Sequence, residues 1–283
     1  MRHLKAHAYI LLLVGQVIYS FSGVFARQSS LPPVTLCFYR MLFSLPLLLV
    51  PAKKALKVLD LHDFFLLLAG GFFMAIDFSL WTTALSHTTL VNANLLANLN
   101  ILLIVPLSKL LFHEKTPKFF IYGGILAIVG AVILINCGNT SDGVRTLWGD
   151  FLALCSSVSY SIYFLFAYKA RTRMDTTVVL FGNTLGSIPP LFFFMLFLDG
   201  VSFPRSSSAL YSVFGIIVCS QIIGLGTLNY CMKRISANML SLFLLTAPAA
   251  SAITGWLFFS EQLTFGKVVG IFLLGSGILL AQK

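Results

Sequence analysis

Ten apolar runs, each about as long as a bilayer core is thick, alternate with short stretches that hold most of the charge. Their approximate limits are residues 8–26, 34–51, 64–85, 90–111, 118–136, 147–168, 176–198, 209–231, 236–259 and 264–281. Backbone in hydrocarbon must satisfy its own hydrogen bonds, and the period-two alternation of a barrel strand is absent. Each run is therefore predicted to be a transmembrane helix. Punctuation supports the limits. Pro32-Pro33 opens the second run, and Thr116-Pro117 reads as an N-cap followed by proline at the first helical position. The one sizeable polar connection holds Asn139, Ser141, Asp142 and Gly143. Its Asn139-Thr140-Ser141 triplet fits a glycosylation acceptor, a pattern too loose to carry weight by itself.

The pattern occurs twice. Shifted by 147 positions, residues 84–132 return as residues 231–279, with Leu110, Phe112, Glu114, Gly123 and Gly130 falling on Leu257, Phe259, Glu261, Gly270 and Gly277. A weaker echo at a shift of 141 ties Val17, Tyr19, Ser20, Phe25 and Ala26 to Val158, Tyr160, Ser161, Phe166 and Ala167. The chain thus divides into residues 1–138, holding helices one to five, and residues 145–283, holding helices six to ten. Five is odd, so the second copy enters the membrane from the opposite face. The predicted fold is an all-α membrane protein of ten transmembrane helices, built as two inverted five-helix repeats in one membrane-embedded body.

Composition agrees: 58% of the 283 residues are hydrophobic and 10% charged, with a mean hydropathy of +0.93. The net charge of +10 lies between the runs, where it sets orientation, and no nucleic-acid partner is expected. With the N-terminus inside, fourteen lysines and arginines fall on one side, against Arg27, Arg40, Arg145, Arg205 and Lys267 on the other, which places both termini in the cytoplasm. Arg2 and Lys5 before an apolar run, with Val24-Phe25-Ala26 after it, imitate a signal peptide. The internal echo of residues 17–26 argues that this run is kept. The five cysteines are scattered without metal-ligand spacing, and no nucleotide loop, zinc signature or nucleophile elbow is present. No cofactor, metal or catalytic group is expected, and the chain is not read as an enzyme.

The repeated Glu-x8-Gly-x6-Gly, the Ala84-Leu85 turn before it and Trp148-Gly149-Asp150 at the sixth run resemble the EamA-type permeases of the drug/metabolite transporter superfamily. That resemblance implies a bacterial cytoplasmic-membrane carrier whose cavity is lined by helices one to four and six to nine, with five and ten packed behind. One departure is visible. Proline is expected in both the fourth and ninth helices. Pro248 supplies one, whereas Ile101 stands at the equivalent place, so the break in helix four is expected to shift toward Pro106.

Polar residues inside the spans point to a site. Asp77 is the one acidic residue deep in a run, and ionisable groups at that depth are functional candidates. At ~1.5 Å per residue, Asp77 lies ~20 Å and Arg40 ~16 Å from the cytoplasmic ends of neighbouring helices. The two are expected to pair, or to share a substrate's charges. Gln16 and Tyr19 share a face, as do their counterparts Ser157 and Tyr160. Met74, Asp77 and Trp81 correspond to Gln221, Gly224 and Leu228, and Asn94, four residues before Asn98, corresponds to Ser241. Such faces turn away from lipid, either as interhelical hydrogen-bonding groups or as the lining of a site. Tyr19, Trp81, Tyr160 and Tyr163 supply aromatic walls for a flat or cationic ligand, or fill space.

Glu114 and Glu261 each precede a helix and are expected to meet its unpaired N–H groups. Gly266 and Gly270 form a GxxxG that serves helix contact within the fold or a dimer face, leaving a monomer or homodimer. The reading is a secondary active transporter of a small organic metabolite, an amino acid or an amino-acid- or nucleoside-like derivative, working by alternating access in a lipid bilayer. A broad-specificity drug/metabolite exporter is the alternative. An ion channel, from a different class, lacks its charged ring or carbonyl-rich filter.

Overall fold

The protein is described here by a computed structural model covering residues 2–56, 59–88, 90–137, 146–259 and 262–282. The mid-chain connection with its Asn139 triplet, Arg145 and Glu261 lie outside the described residues. All regular structure among these residues is helical. We number the spans α1 (Arg2–Gln28), α2 (Pro33–Leu56), α3 (Leu61–Leu85), α4 (Leu90–Ala97 continued as Asn100–Phe112) and α5 (Lys118–Asn136). The second copy holds α6 (Leu147–Arg171), α7 (Thr176–Phe194 with a π-helical end, Met195–Asp199) and α8 (Ser207–Ile216, a π-helical stretch Ile217–Gly224, then Leu225–Met232). It ends with α9 (Ala237–Leu244 and Thr246–Phe259) and α10 (Phe265–Ala281). Nine spans among the described residues are long and apolar enough to cross a bilayer. α10, at 17 residues, is the short tenth, about 26 Å long.

The inversion can be read from four glycines. A Cβ at Gly123 would overlap the carbonyl of Gly277, and one at Gly277 would strike that of Gly123. Gly130 and Gly270 exclude each other in the same reciprocal way. Since Gly123 is the counterpart of Gly270, and Gly130 of Gly277, the first contact maps onto the second when the copies are exchanged. Rising numbers on α5 meet falling numbers on α10, so equivalent helices run antiparallel. Without a hydrophobic drive between helices in lipid, such close backbone approach is the main source of association. The GxxxG of Gly266 and Gly270 is thereby used within the fold, against Cys137 and Gly130.

The copies interleave. α3 lies on α6 and α7, α2 on α7, α1 on α8 and α9, and α4 on α6 and α9, whereas α2 and α3 barely touch. Sequence neighbours are thus not the main packing partners, contrary to what the Arg40–Asp77 expectation assumed. The helix starts also need one correction: Pro117 is itself the N-cap of α5, with no side-chain bond from Thr116. Its carbonyl instead accepts from Phe120 N at 3.0 Å.

Carboxylates hold both ends together across the copies. On the face that carries the termini, Glu114 accepts from Ala237 N at 2.8 Å, Asn238 N at 3.2 Å and the Tyr168 hydroxyl at 2.9 Å. It therefore caps α9 of the other copy and not α5, the helix that follows it in sequence. The reason is plain: α9 starts with free N–H groups beside the α4–α5 turn, and a carboxylate is favoured there. On the opposite face Asp199, at the end of α7, accepts from Thr35 N at 2.7 Å and Thr35 Oγ1 at 3.0 Å, and so ties down the first turn of α2.

Candidate functional site

α4 and α9 are both interrupted, at repeat-related places and by different chemistry. In α9 the break is Leu245, three residues before Pro248, whose missing N–H leaves the Leu244 carbonyl without its helical donor. In α4 the break falls at Asn98–Leu99 and not toward Pro106, which sits inside the second segment. The Asn98 side chain donates to the Asn94 carbonyl at 2.7 Å, which also accepts from Asn98 N at 3.0 Å, at the point where α9 has its break. A proline accompanies the break in one copy and an asparagine the break in the other.

A cavity of about 140 Å³ lies between the breaks. α1 gives it Gln16 and Tyr19, α3 gives Met74 and Phe78, and α4 gives Asn98 and Asn100. From the other copy α6 gives Tyr160 and Tyr163, α8 gives Gly224, Leu225 and Leu228, and α9 gives Leu244 and Ala247. The counterparts Tyr19 and Tyr160 both line it, as do Met74 and, on the related helix, Gly224 and Leu228. The Tyr160 and Tyr163 rings make an edge contact at 5.7 Å between centroids. α5 and α10 contribute nothing to the lining and pack behind it on each other.

The structure brings Gln16, Tyr19, Asn98, Tyr160 and Tyr163 together on this wall. The remaining candidates do not line it. Asp77, 8% exposed, accepts from Ser156 Oγ at 2.5 Å. Gln221 donates through Nε2 to Thr184 Oγ1 at 2.7 Å, leaving its Oε1 without a partner. The Ser241 hydroxyl is spent on the Asn238 carbonyl at 2.8 Å, and Ser157 is buried with its carbonyl accepting from Ser161 Oγ. Asn94 and Trp81 are half-buried and do not line the cavity.

Arg40 and Asp77 make no ion pair within 4.0 Å. Among the described residues the charge pairs at that range gather on Asp63. Arg40 donates from Nη1 to Ser220 Oγ at 3.2 Å and lies with its guanidinium carbon 4.3 Å from the centre of the Phe78 ring. α2 directs Arg40 toward α8, while α3 directs Asp77 toward α6, so similar heights in the bilayer do not bring them into contact.

Several participants had no signal of their own in the sequence. Asn100, on the lining and with an unpartnered Oδ1, sits two residues from Asn98. Ser156 corresponds to Gly15 in the other copy, so a search for polar pairs related by the repeat passes over it. Ser220 lies in the π-helical stretch of α8, which shifts the helix register and re-aims the residues that follow; such bulges gather at functional sites.

The chain matches the EamA-like transporter family over residues 6–136 and 147–282. An uncharacterised transporter of Archaeoglobus fulgidus is 24% identical over 290 residues, covering 98% of each chain. The uncharacterised transporter YdfC of Bacillus subtilis is 25% identical over 268 residues, 92% of this chain and 85% of that one. A solved crystal structure shares the fold with a TM-score of 0.82 at 18% identity, over 98% of this chain and 97% of the other.

Proposed function

The chain belongs to the EamA-like transporter family, and from that premise we propose that it carries a small zwitterionic metabolite, an amino acid or an amino-acid- or nucleoside-like derivative, by secondary active transport. The two halves, residues 1–138 and 145–283, rock against each other in the bacterial cytoplasmic membrane with both termini cytoplasmic. One observation supports the reading: the cavity sits between the interrupted helices α4 and α9, which line it with Asn98, Asn100, Leu244 and Ala247. Discontinuous helices meeting near the midplane at a repeat interface are the place where inverted-repeat carriers bind their solutes. At about 140 Å³ the cavity falls below the ~300–1,000 Å³ of drug-sized pockets, which supports a small metabolite over a broad-specificity exporter.

The test is a melting-temperature screen of the purified protein against amino acids, nucleosides, cationic drugs and S-adenosylmethionine, followed by counterflow in liposomes. A ligand at about a hundredfold its Kd stabilises the folded state by about 2.7 kcal/mol, so a true solute raises the melting point. Amino acids are expected to give both the shift and the counterflow. Uptake of cationic drugs alone would contradict the substrate class.

Asp77 is the buried carboxylate beside this cavity, one residue before Phe78 on the wall. In Asp77→Asn, substrate exchange is expected to persist while the pH dependence of net uptake flattens, because the amide cannot gain or lose a proton. Net uptake that keeps its wild-type pH profile in this variant would remove Asp77 as the coupling group.

A further inference from the structure

Arg40 is a cation 6% exposed in the interior of a membrane protein, with no carboxylate within 4.0 Å among the described residues. Arginine stays protonated in proteins, and a buried charge left without an opposite partner is strongly destabilising. The Phe78 ring and the Ser220 hydroxyl offset part of that cost. What they leave open has a definite shape. Nη1 is the bonded nitrogen, while Nε and Nη2 have no partner. Those two nitrogens form one edge of the planar guanidinium, with parallel N–H bonds spaced to meet both oxygens of a carboxylate. Asp77 does not fill the edge: the two make no ion pair within 4.0 Å, and its Oδ1 accepts from Ser156 on α6.

The open edge stands one side chain behind the cavity wall: Phe78, under the guanidinium, lines the cavity. Building on the transport function proposed above, we infer that Arg40 receives the carboxylate of the translocated solute through Nε and Nη2. The solute class is then carboxylate-bearing zwitterions, α-amino acids first among them. Neutral nucleosides and lipophilic cations lack the group that this edge accepts.

The purified full-length protein is melted with each proteinogenic L-amino acid, and every positive is compared with its carboxamide and its decarboxylated amine. The acid is expected to raise the melting temperature while the amide and the amine leave it unchanged. Arg40→Gln is expected to weaken the acid's affinity by roughly tenfold to a hundredfold, the span of a lost charged hydrogen-bond pair, and Arg40→Lys by less, because a point charge is kept. The acid–amide comparison uses the unsubstituted protein and stands even where Arg40→Gln fails to fold. An amide as effective as its acid, or wild-type affinity in Arg40→Gln, would overturn the assignment. So would transport restored by the charge-swapped pair Arg40→Asp with Asp77→Arg, since the two charges would then serve only each other. Counterflow of choline or uridine that ignores Arg40→Gln would remove the anchor and leave the transporter reading intact. Absence of counterflow for every class would end both.

Discussion

Gly71→Val is expected to leave no folded protein in the membrane. A Cβ at this position would overlap the backbone carbonyl of Asn183 and lie 2.8 Å from the backbone of Gly186. Gly186 and Gly182 on α7 press in return on Leu68 and Leu67 of α3. Ordinary overpacking costs about 1–3 kcal/mol because side chains can move aside. Here the opposing atoms are backbone, so relief requires the two helices to separate. α3 carries Met74, Asp77 and Phe78, so its separation from α7 would dismantle the wall as well. Size-exclusion chromatography of a fluorescent fusion checks the outcome. The monodisperse peak should vanish for Gly71→Val and persist for Gly275→Val, where an added Cβ meets nothing within 4 Å. A monodisperse Gly71→Val protein with the parent's melting point would refute the close crossing of α3 and α7.

The second large effect is expected at Glu114. Its two oxygens accept three donors from the other copy, and Ser108 adds a hydroxyl bond to Asn238 Oδ1 at 2.5 Å beside them. Glu114→Gln removes the charge and turns an N–H toward a donor, a loss of about 2 kcal/mol for charged hydrogen bonds. At roughly 2–4 °C per kcal/mol in a chain of this general size, the melting point falls by about 5 °C. The loss is local to the terminal face, so closure there weakens relative to closure at the opposite face, where Asp199 still holds α2. Glu114→Gln is therefore expected to expose the cavity more often to the side that carries the termini. An unchanged melting point and unchanged cavity exposure would show that the cap contributes nothing to closure.

Much of this architecture is legible in the residues because its causes are local or repeated. Span length follows from unbroken apolar runs, and α5 and α7 begin where the runs predict. The recurrence of Gly123 and Gly130 as Gly270 and Gly277 is visible at once, and the reciprocal packing of α5 on α10 explains why those four positions match. Contacts between distant segments are not legible. Glu114 precedes α5 in sequence yet caps a helix 123 residues away, and nothing near it names α9. Arg40 and Asp77 have similar depths, but interleaving of the copies sends α2 and α3 to different neighbours. The breaks show the same limit. Pro248 announces one, whereas the break at Asn98–Leu99 has no proline beside it to announce it. On the wall, Gln16, Tyr19, Tyr160 and Tyr163 are found by their repeat-related faces, while the π-helical stretch that re-aims α8 leaves no mark in the spacing of its residues.

The claim on which all of this depends is that two inverted halves open one shared cavity to either side in turn. Asn98 lies on that cavity at the break in α4, and the five native cysteines can be replaced to leave a single thiol at Asn98→Cys. A membrane-impermeant maleimide is then added to right-side-out or to inverted vesicles. Labelling is expected from both faces, slowed by bound solute and faster from the terminal face when Glu114→Gln is added. Labelling confined to one face, with and without Glu114→Gln, would contradict it.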